Sequence, residues 1–365
     1  MKTLKLILLS LICSGVCSFA FSYPIRFVNN SRIDDKNIYI QIIVQGVGFW
    51  DFKKGCWDKS DGVQASSVTL ADIKDQEVGI DDSQGDHGGK VYVSFGGPTD
   101  TKMVGDQYYS PIPATSFKQK NIVFDSIEIG LASYAIINQT SVDFVALPLG
   151  FQVDGKPQRG FNCTRSGLMD AMKTALEGTD FKSLLFYQND AITAVNNPTH
   201  LGQTTIIDDE IKKAIPPKSN LKVATSDGVM SYFTTDSEGH INYKNITIPF
   251  SAFTSQRVFC NSPEDSSQAN PDNIFGAVSA YILRGVDLQA SNPDDKRFSD
   301  YKSFSYLADP YAKIIHDNCI DNRGYAFGYD DTGAMDFSSS EPRNGQGFTI
   351  FINDCKDLQD ILQLQ

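Results

Sequence analysis

The chain has 365 residues, with 44 acidic side chains against 32 lysines and arginines, and a formal net charge of −12 with its four histidines neutral. A surface this acidic repels nucleic acid and anionic membranes, and it leaves neutral polymers such as polysaccharides as partners. The length accommodates one large domain or two.

Lys2 and Lys5 precede an apolar run over 6–16, and Ser18-Phe19-Ala20 supplies the small residues of a cleavage site. This predicts a signal peptide over 1–20 and a secreted product, extracellular or periplasmic. The run falls short of the roughly 20 residues a membrane helix needs. Neither Cys13 nor Cys17 follows the Leu-small-small triplet that a lipid-modifying enzyme reads. Removal of the segment leaves 345 residues with a formal charge of −14, and no membrane association is expected afterwards.

The first third reads as strands. Residues 23–27 and 37–45 (NIYIQIIVQ) are β-branched and aromatic, and 90–95 (KVYVSF) alternates cleanly, Tyr92 and Ser94 against Val91, Val93 and Phe95. Helical spacing follows over 165–176 (RSGLMDAMKTAL), over 206–215 more weakly, and over 273–288. Another helix is predicted over 306–319, where Asp309-Pro310 supplies a cap and a first-turn proline. Strands return afterwards, ending at 347–353 (GFTIFIN). Ser/Asp/Pro-rich 262–272 and 291–299 read as surface loops, and no internal repeat is evident. The order predicts an α+β, mainly β fold. A mixed α/β domain over 163–319 interrupts a β domain built from 21–162 and 320–365.

Cys56, Cys163, Cys260, Cys319 and Cys355 remain after the leader and form no C-x-x-C pair. In an exported chain this predicts one or two disulfides and at least one free thiol, with Cys319–Cys355 the pair that flanks the final strands. No phosphate-binding glycine loop, G-x-S-x-G elbow or H-E-x-x-H is present. Asp81, Asp82, Asp86 and His87 in DDSQGDHGG do not fit a calcium loop, and the segment reads as a solvated turn. No metal or cofactor is called, and the protein is expected to act as a monomer. Trp50 and Trp57 in GFWDFKKGCW are read either as a sugar-stacking platform or as packing. His316 beside Ile314 and Ile315 reads as a structural hydrogen-bonding residue, and Asp330-Asp331 as either a cleft lining or a turn device before Gly333.

The stretch IEIGLASYAIINQTSVDF sets Glu128 between Ile127 and Ile129, and Asp143 between Val142 and Phe144. A hairpin pairing 126–132 with 140–146 would bring the two acids opposite one another. Their Cβ atoms would then lie about 4.5–5.5 Å apart, or about 7–8 Å on the diagonal. Such closeness raises the pKa of one carboxyl, as acid–base hydrolysis of a glycoside requires. The alternative is that both acids sit on the solvent face of an amphipathic hairpin. Alternation alone leaves both readings open.

Several blocks together carry a resemblance. QTSVDFVALPLGFQV (139–153), GKVYVSFGG (89–97), FDSIEIGL (124–131) and DPYAKIIHDNCIDNRGYAFGYDD (309–331) resemble, in order and spacing, the segments of glycoside hydrolase family 64, the thaumatin-like β-1,3-glucanases. YPIRFVNNS, RSGLMDAMKTAL and NIFGAVSAYILRG also fall in the expected order. The resemblance implies a thaumatin-like β-barrel or sandwich domain joined to a mixed α/β domain across a wide groove for β-1,3-glucan. It implies an inverting endo-hydrolysis with Glu128 as general acid and Asp143 as general base. Thr140, Tyr134, Tyr325, Tyr329, Asp330 and Asp331 become the substrate-contacting candidates. The family's threonine two positions after the acid, and the sugar-contacting residues beyond it, are replaced by Gly130 and Ala132, and Gly328 stands where a proline is common. The rival reading is a non-catalytic glucan-binding or host-interaction protein.

Overall fold

The computed structural model describes residues 21–364 except 60–64, 74–75, 81–86, 106, 110–120, 132–134, 189, 203, 226–227, 261–273, 293–294 and 333–346. Of the solvated turn predicted over 81–89, residues 81–86 lie outside the described residues, as do the loop at 262–272, Ala132 and Tyr134, whereas 87–89 open the strand His87–Phe95 instead of a turn.

The β-branched runs of the first third form two sheets. In the larger, the strands Ala135–Gln139, Val123–Leu131, His87–Phe95, Ile38–Val44, Gly48–Asp51 and Cys56–Asp58 lie side by side, with Val68–Thr69 paired to Ile38–Val44. In the five-stranded sheet, Phe348–Ile352 sits in the centre, antiparallel to Leu149–Val153 and parallel to Phe21–Asn29. The predicted first and last strands are therefore hydrogen-bonded neighbours. Residues 163–319 add a strand pair, Leu185–Gln188 and Ala191–Asn196, and a four-stranded antiparallel sheet spanning 220–248.

Helix Arg165–Leu176 begins where Thr164 accepts the Gly167 amide at 3.1 Å, and it buries Leu168, Met169, Met172 and Leu176 at helical spacing. Helix Ile274–Arg284 is buried on every side, because its residues are almost uniformly apolar. Helix Pro310–Asn318 is capped by Asp309, whose Oδ1 accepts the Ala312 amide at 3.0 Å. The weaker helical spacing over 206–215 forms the short helix Asp208–Ala214.

The interior divides into two apolar clusters. One draws on 25–153, Ala194 and 348–362, and the other on residues between Val145 and Phe327. This division explains a correction. The described cysteines are all free thiols, and the expected Cys319–Cys355 bond is absent. Cys319 is packed in one cluster and Cys355 in the other, so the bond would have to join two separate interiors.

Candidate active site

Glu128 is half-buried on strand Val123–Leu131. The register places Lys90 opposite it on one side and Asn138 on the other. The predicted hairpin is corrected here. Val123–Leu131 turns back after three residues and pairs 127–131 with 135–139, so Glu128 faces Asn138 and not Asp143. The β-branched pair Ile136-Ile137 gives the nearer segment a strand of its own, and closing the shorter loop costs less entropy. Phe144 and Val145 are meanwhile drawn away to pair with Asn196 and Val195. Asp143 is left on a bend between the two pairings.

Lys90 nevertheless relates the two acids, as the register partner of Glu128 and the hydrogen-bond donor to Asp143. The Nζ of Lys90 donates to Asp143 Oδ2 at 2.9 Å, from a side chain only 11% exposed, whereas the Asp143 side chain is 58% exposed. Lys90 starts from the rung of Glu128, where cross-strand Cβ atoms lie about 4.5–5.5 Å apart.

The segment bearing Asp143 is held by buried polar groups. Asp125 Oδ2 accepts the amides of Ala146 at 2.8 Å and Leu147 at 3.0 Å, and its Oδ1 accepts the Ser126 amide. Arg165, fully buried, donates Nε to the Ala146 carbonyl at 2.8 Å, while its other nitrogens reach the Ile192 and Thr193 carbonyls and the Asp357 carboxylate. The Tyr311 hydroxyl donates to the Ser141 carbonyl at 2.7 Å. Asn197 donates its backbone amide to the Asp143 carbonyl at 3.0 Å and its side-chain amide to the Ala326 carbonyl at 2.6 Å. Phe144 packs edge-on against Phe124, ring centres 5.3 Å apart. Burial pushes the Asp125 carboxyl up to about 7, against the pull of the three amides and of Lys90.

Thr140 forms a parallel bridge with Tyr325, and the Ser141 amide donates to the Tyr325 carbonyl at 2.8 Å. This brings the 325–331 block beside the acids. Burial, and then the charges of Asp331, Asp330 and Glu128, push the Tyr325 phenol well above its ordinary range, which puts Tyr325 within electrostatic reach of Glu128. Thr140 is buried, whereas Tyr329, in the left-handed region at φ 63°, and Asp331 are exposed.

Asp330 is not a cleft residue in this structure. It is fully buried, its Oδ2 accepts the Ala326 amide and meets His316 Nε2, each at 2.9 Å, and the Arg284 guanidinium binds its carbonyl oxygen. His316 Nδ1 lies 2.9 Å from the Asn322 carbonyl, which can only accept, so that nitrogen carries a proton. The ring also stacks on Tyr306 at 4.6 Å. Asp330 thus fixes the turn that presents Tyr325 and Asp331. Trp50 is buried and meets Trp57 edge-on across a strand pair at 5.3 Å, which is packing.

Lys90 and Asp125 escaped the sequence reading, although the signal was there. Asp125 shares the parity of Ile127 and Ile129, so alternation already assigned an acid to the core side. Lys90 shares the parity of Tyr92 and Ser94 in the alternating strand KVYVSF.

No curated protein matches this chain by sequence. Solved structures do match in fold. A β-1,3-glucanase domain of family 64 from Clostridium beijerinckii superposes with a TM-score of 0.68 at 19% identity, over 91% of this chain and 98% of that one. A laminaripentaose-producing β-1,3-glucanase, solved with laminaritetraose, gives 0.68 at 16% identity, over 92% and 99%. The family 64 laminaripentaose-producing enzyme of Paenibacillus barengoltzii, solved with laminarihexaose, gives 0.58 at 19% identity, over 94% and 79%. The family model described as Beta-1,3-glucanase matches residues 22–350. With that match across nearly the whole described chain, the protein belongs to glycoside hydrolase family 64 and is a glycoside hydrolase.

Proposed function

We propose that the protein is a secreted endo-β-1,3-glucanase that inverts the anomeric carbon, with Glu128 as general acid and Asp143 as general base. The observation that carries this reading is the convergence of the two acids on Lys90, one by strand register and one by a direct hydrogen bond. Glu128 makes no hydrogen bond through its carboxyl among the described residues, so a proton held there is available to the glycosidic oxygen. Lys90 engages Oδ2 of Asp143, whose side chain is 58% exposed, and Oδ1 is left to take a proton from water. As the C1–O bond breaks, the acid's proton goes to the departing oxygen and water adds from the opposite face.

The substrate class is a neutral β-1,3-glucan, in keeping with the laminari-oligosaccharides named for the related structures. It would lie in a groove between a β domain of 21–162 with 320–365 and a mixed domain of 163–319. Tyr325, Tyr329 and Asp331 are the described sugar-contacting candidates. Thr140 acts from beneath through its bridge to Tyr325. Gly130 favours a second reading, a glucan-binding protein without turnover, because the family's contacting threonine is missing there.

The test follows the product. New reducing ends from a linear β-1,3-glucan are watched by proton NMR in the first minutes, with viscosity read in parallel. Initial α-anomers and an early fall in viscosity are expected. Initial β-anomers would refute inversion, slow viscosity loss would refute internal cleavage, and binding without new ends would select the second reading.

A further inference from the structure

We infer that Lys90 is the positioning residue that registers the base against the acid. This rests on the assignment of Glu128 and Asp143 above. Strand register fixes Lys90 directly across from Glu128, so the backbone hydrogen bonds of the sheet set its starting point. The stem is then buried, which removes most of the freedom an exposed lysine would have. Its ammonium meets Asp143 at 2.9 Å. Asp143 itself sits on a bend with a largely exposed side chain, and no other side chain holds its carboxylate among the described residues. The backbone clamps at Ser141, Asp143, Ala146 and Leu147 place the base's Cα, and among the described residues Lys90 alone fixes where the carboxylate points.

The contact is also selective between the two oxygens. Lys90 engages Oδ2, and no hydrogen bond to Oδ1 occurs among the described residues, so that oxygen is the one left to accept a proton from water. A single residue therefore couples the rung of the acid to the orientation of the base. Losing it would let the carboxylate rotate, and displacements near 1 Å cost on the order of 10²-fold in rate.

The experiment compares Lys90→Met, which keeps the stem and removes the ammonium, with Lys90→Arg, which keeps a cation. Linear β-1,3-glucan is the substrate. Lys90→Met should lower kcat on the order of 10²-fold with KM within about 2-fold, and Lys90→Arg should recover most of that loss. Unchanged kcat in Lys90→Met, a loss confined to KM, or no recovery with Arg would overturn the inference.

A second measurement is independent of turnover. The thermal midpoints of Lys90→Met, Asp143→Asn and the double variant should be non-additive, because the second change finds the contact already gone. Strict additivity would refute the contact even if the wild type proves inactive. Inactive wild type with non-additive midpoints would refute the hydrolytic function while upholding the link. If Lys90→Met does not fold, the comparison moves to Lys90→Arg, alone and with Asp143→Asn, where near-wild-type kcat and a non-additive midpoint are required.

Discussion

Asp309→Asn isolates a buried charge. Asp309 is fully buried, its Oδ1 caps helix Pro310–Asn318 through the Ala312 amide, and its Oδ2 has no hydrogen-bond partner. Burial pushes its carboxyl up to about 7, helped by the nearby Asp330 and opposed by the Ala312 amide and His316. In the unfolded chain the group titrates near about 3.9. Between about pH 4 and 7 the native state therefore holds a proton that the unfolded state has lost, and stability must fall as pH rises through that window. About three pH units at about 1.4 kcal/mol each give a difference of up to about 4 kcal/mol. Asparagine keeps the capping oxygen, replaces the orphan oxygen with a neutral amide, and removes the titration. Thermal midpoints of both proteins are measured from pH 4.5 to 8. Asp309→Asn should be equal to or slightly below wild type at the acid end and several degrees above it at pH 8. Asp125, also raised to about 7, gives wild type and variant the same background slope and cancels in the difference. The carboxyls held low by hydrogen bonds and cations, Asp51, Asp154 and Asp236, act below this window. A difference between the two proteins that stays constant with pH would show that Asp309 holds no extra proton in the native state.

Two further outcomes follow from the site and the thiols. Asp125→Ala strips the Ser126, Ala146 and Leu147 amides of their shared acceptor, at a cost of about 3–5 kcal/mol. It should lower the thermal midpoint and release the segment that carries Asp143, so kcat falls even at temperatures where the variant is folded. Full activity at those temperatures would show that the clamp does not position the base. Ellman titration in denaturant should count five thiols in the chain without its leader, and dithiothreitol should leave the thermal midpoint unchanged. A lower count, or a midpoint that drops on reduction, would show bonds that this structure lacks.

The parts of the fold fixed by local pattern were legible. Helix Arg165–Leu176 falls on the predicted residues because Thr164 caps it and its apolar spacing is unbroken. Asp309-Pro310 marked the start of the helix at Pro310, and GFTIFIN contains the strand Phe348–Ile352. The hairpin was misread because two segments after Glu128 both carry strand-like residues. The choice between them depended on Phe144 and Val145 finding partners about fifty residues later. Asp330 stayed open between a cleft lining and a turn device for a similar reason. The two adjacent acids look alike in sequence, and only the buried Arg284 and His316, both remote in sequence, distinguish them. The blocks around Glu128 and Asp143 led to the right family, yet the lysine that links them lies 53 positions from the base and became visible only with the sheet register.

If Glu128 and Asp143 together carry out hydrolysis, reducing-sugar release from a linear β-1,3-glucan depends on both carboxyls. Glu128→Gln and Asp143→Asn keep the side-chain shape and remove proton transfer. Steady release by the wild type is expected, with a loss on the order of 10³-fold or more in each variant while glucan binding and the folded state are retained. A variant that keeps turning over at near the wild-type rate would contradict it.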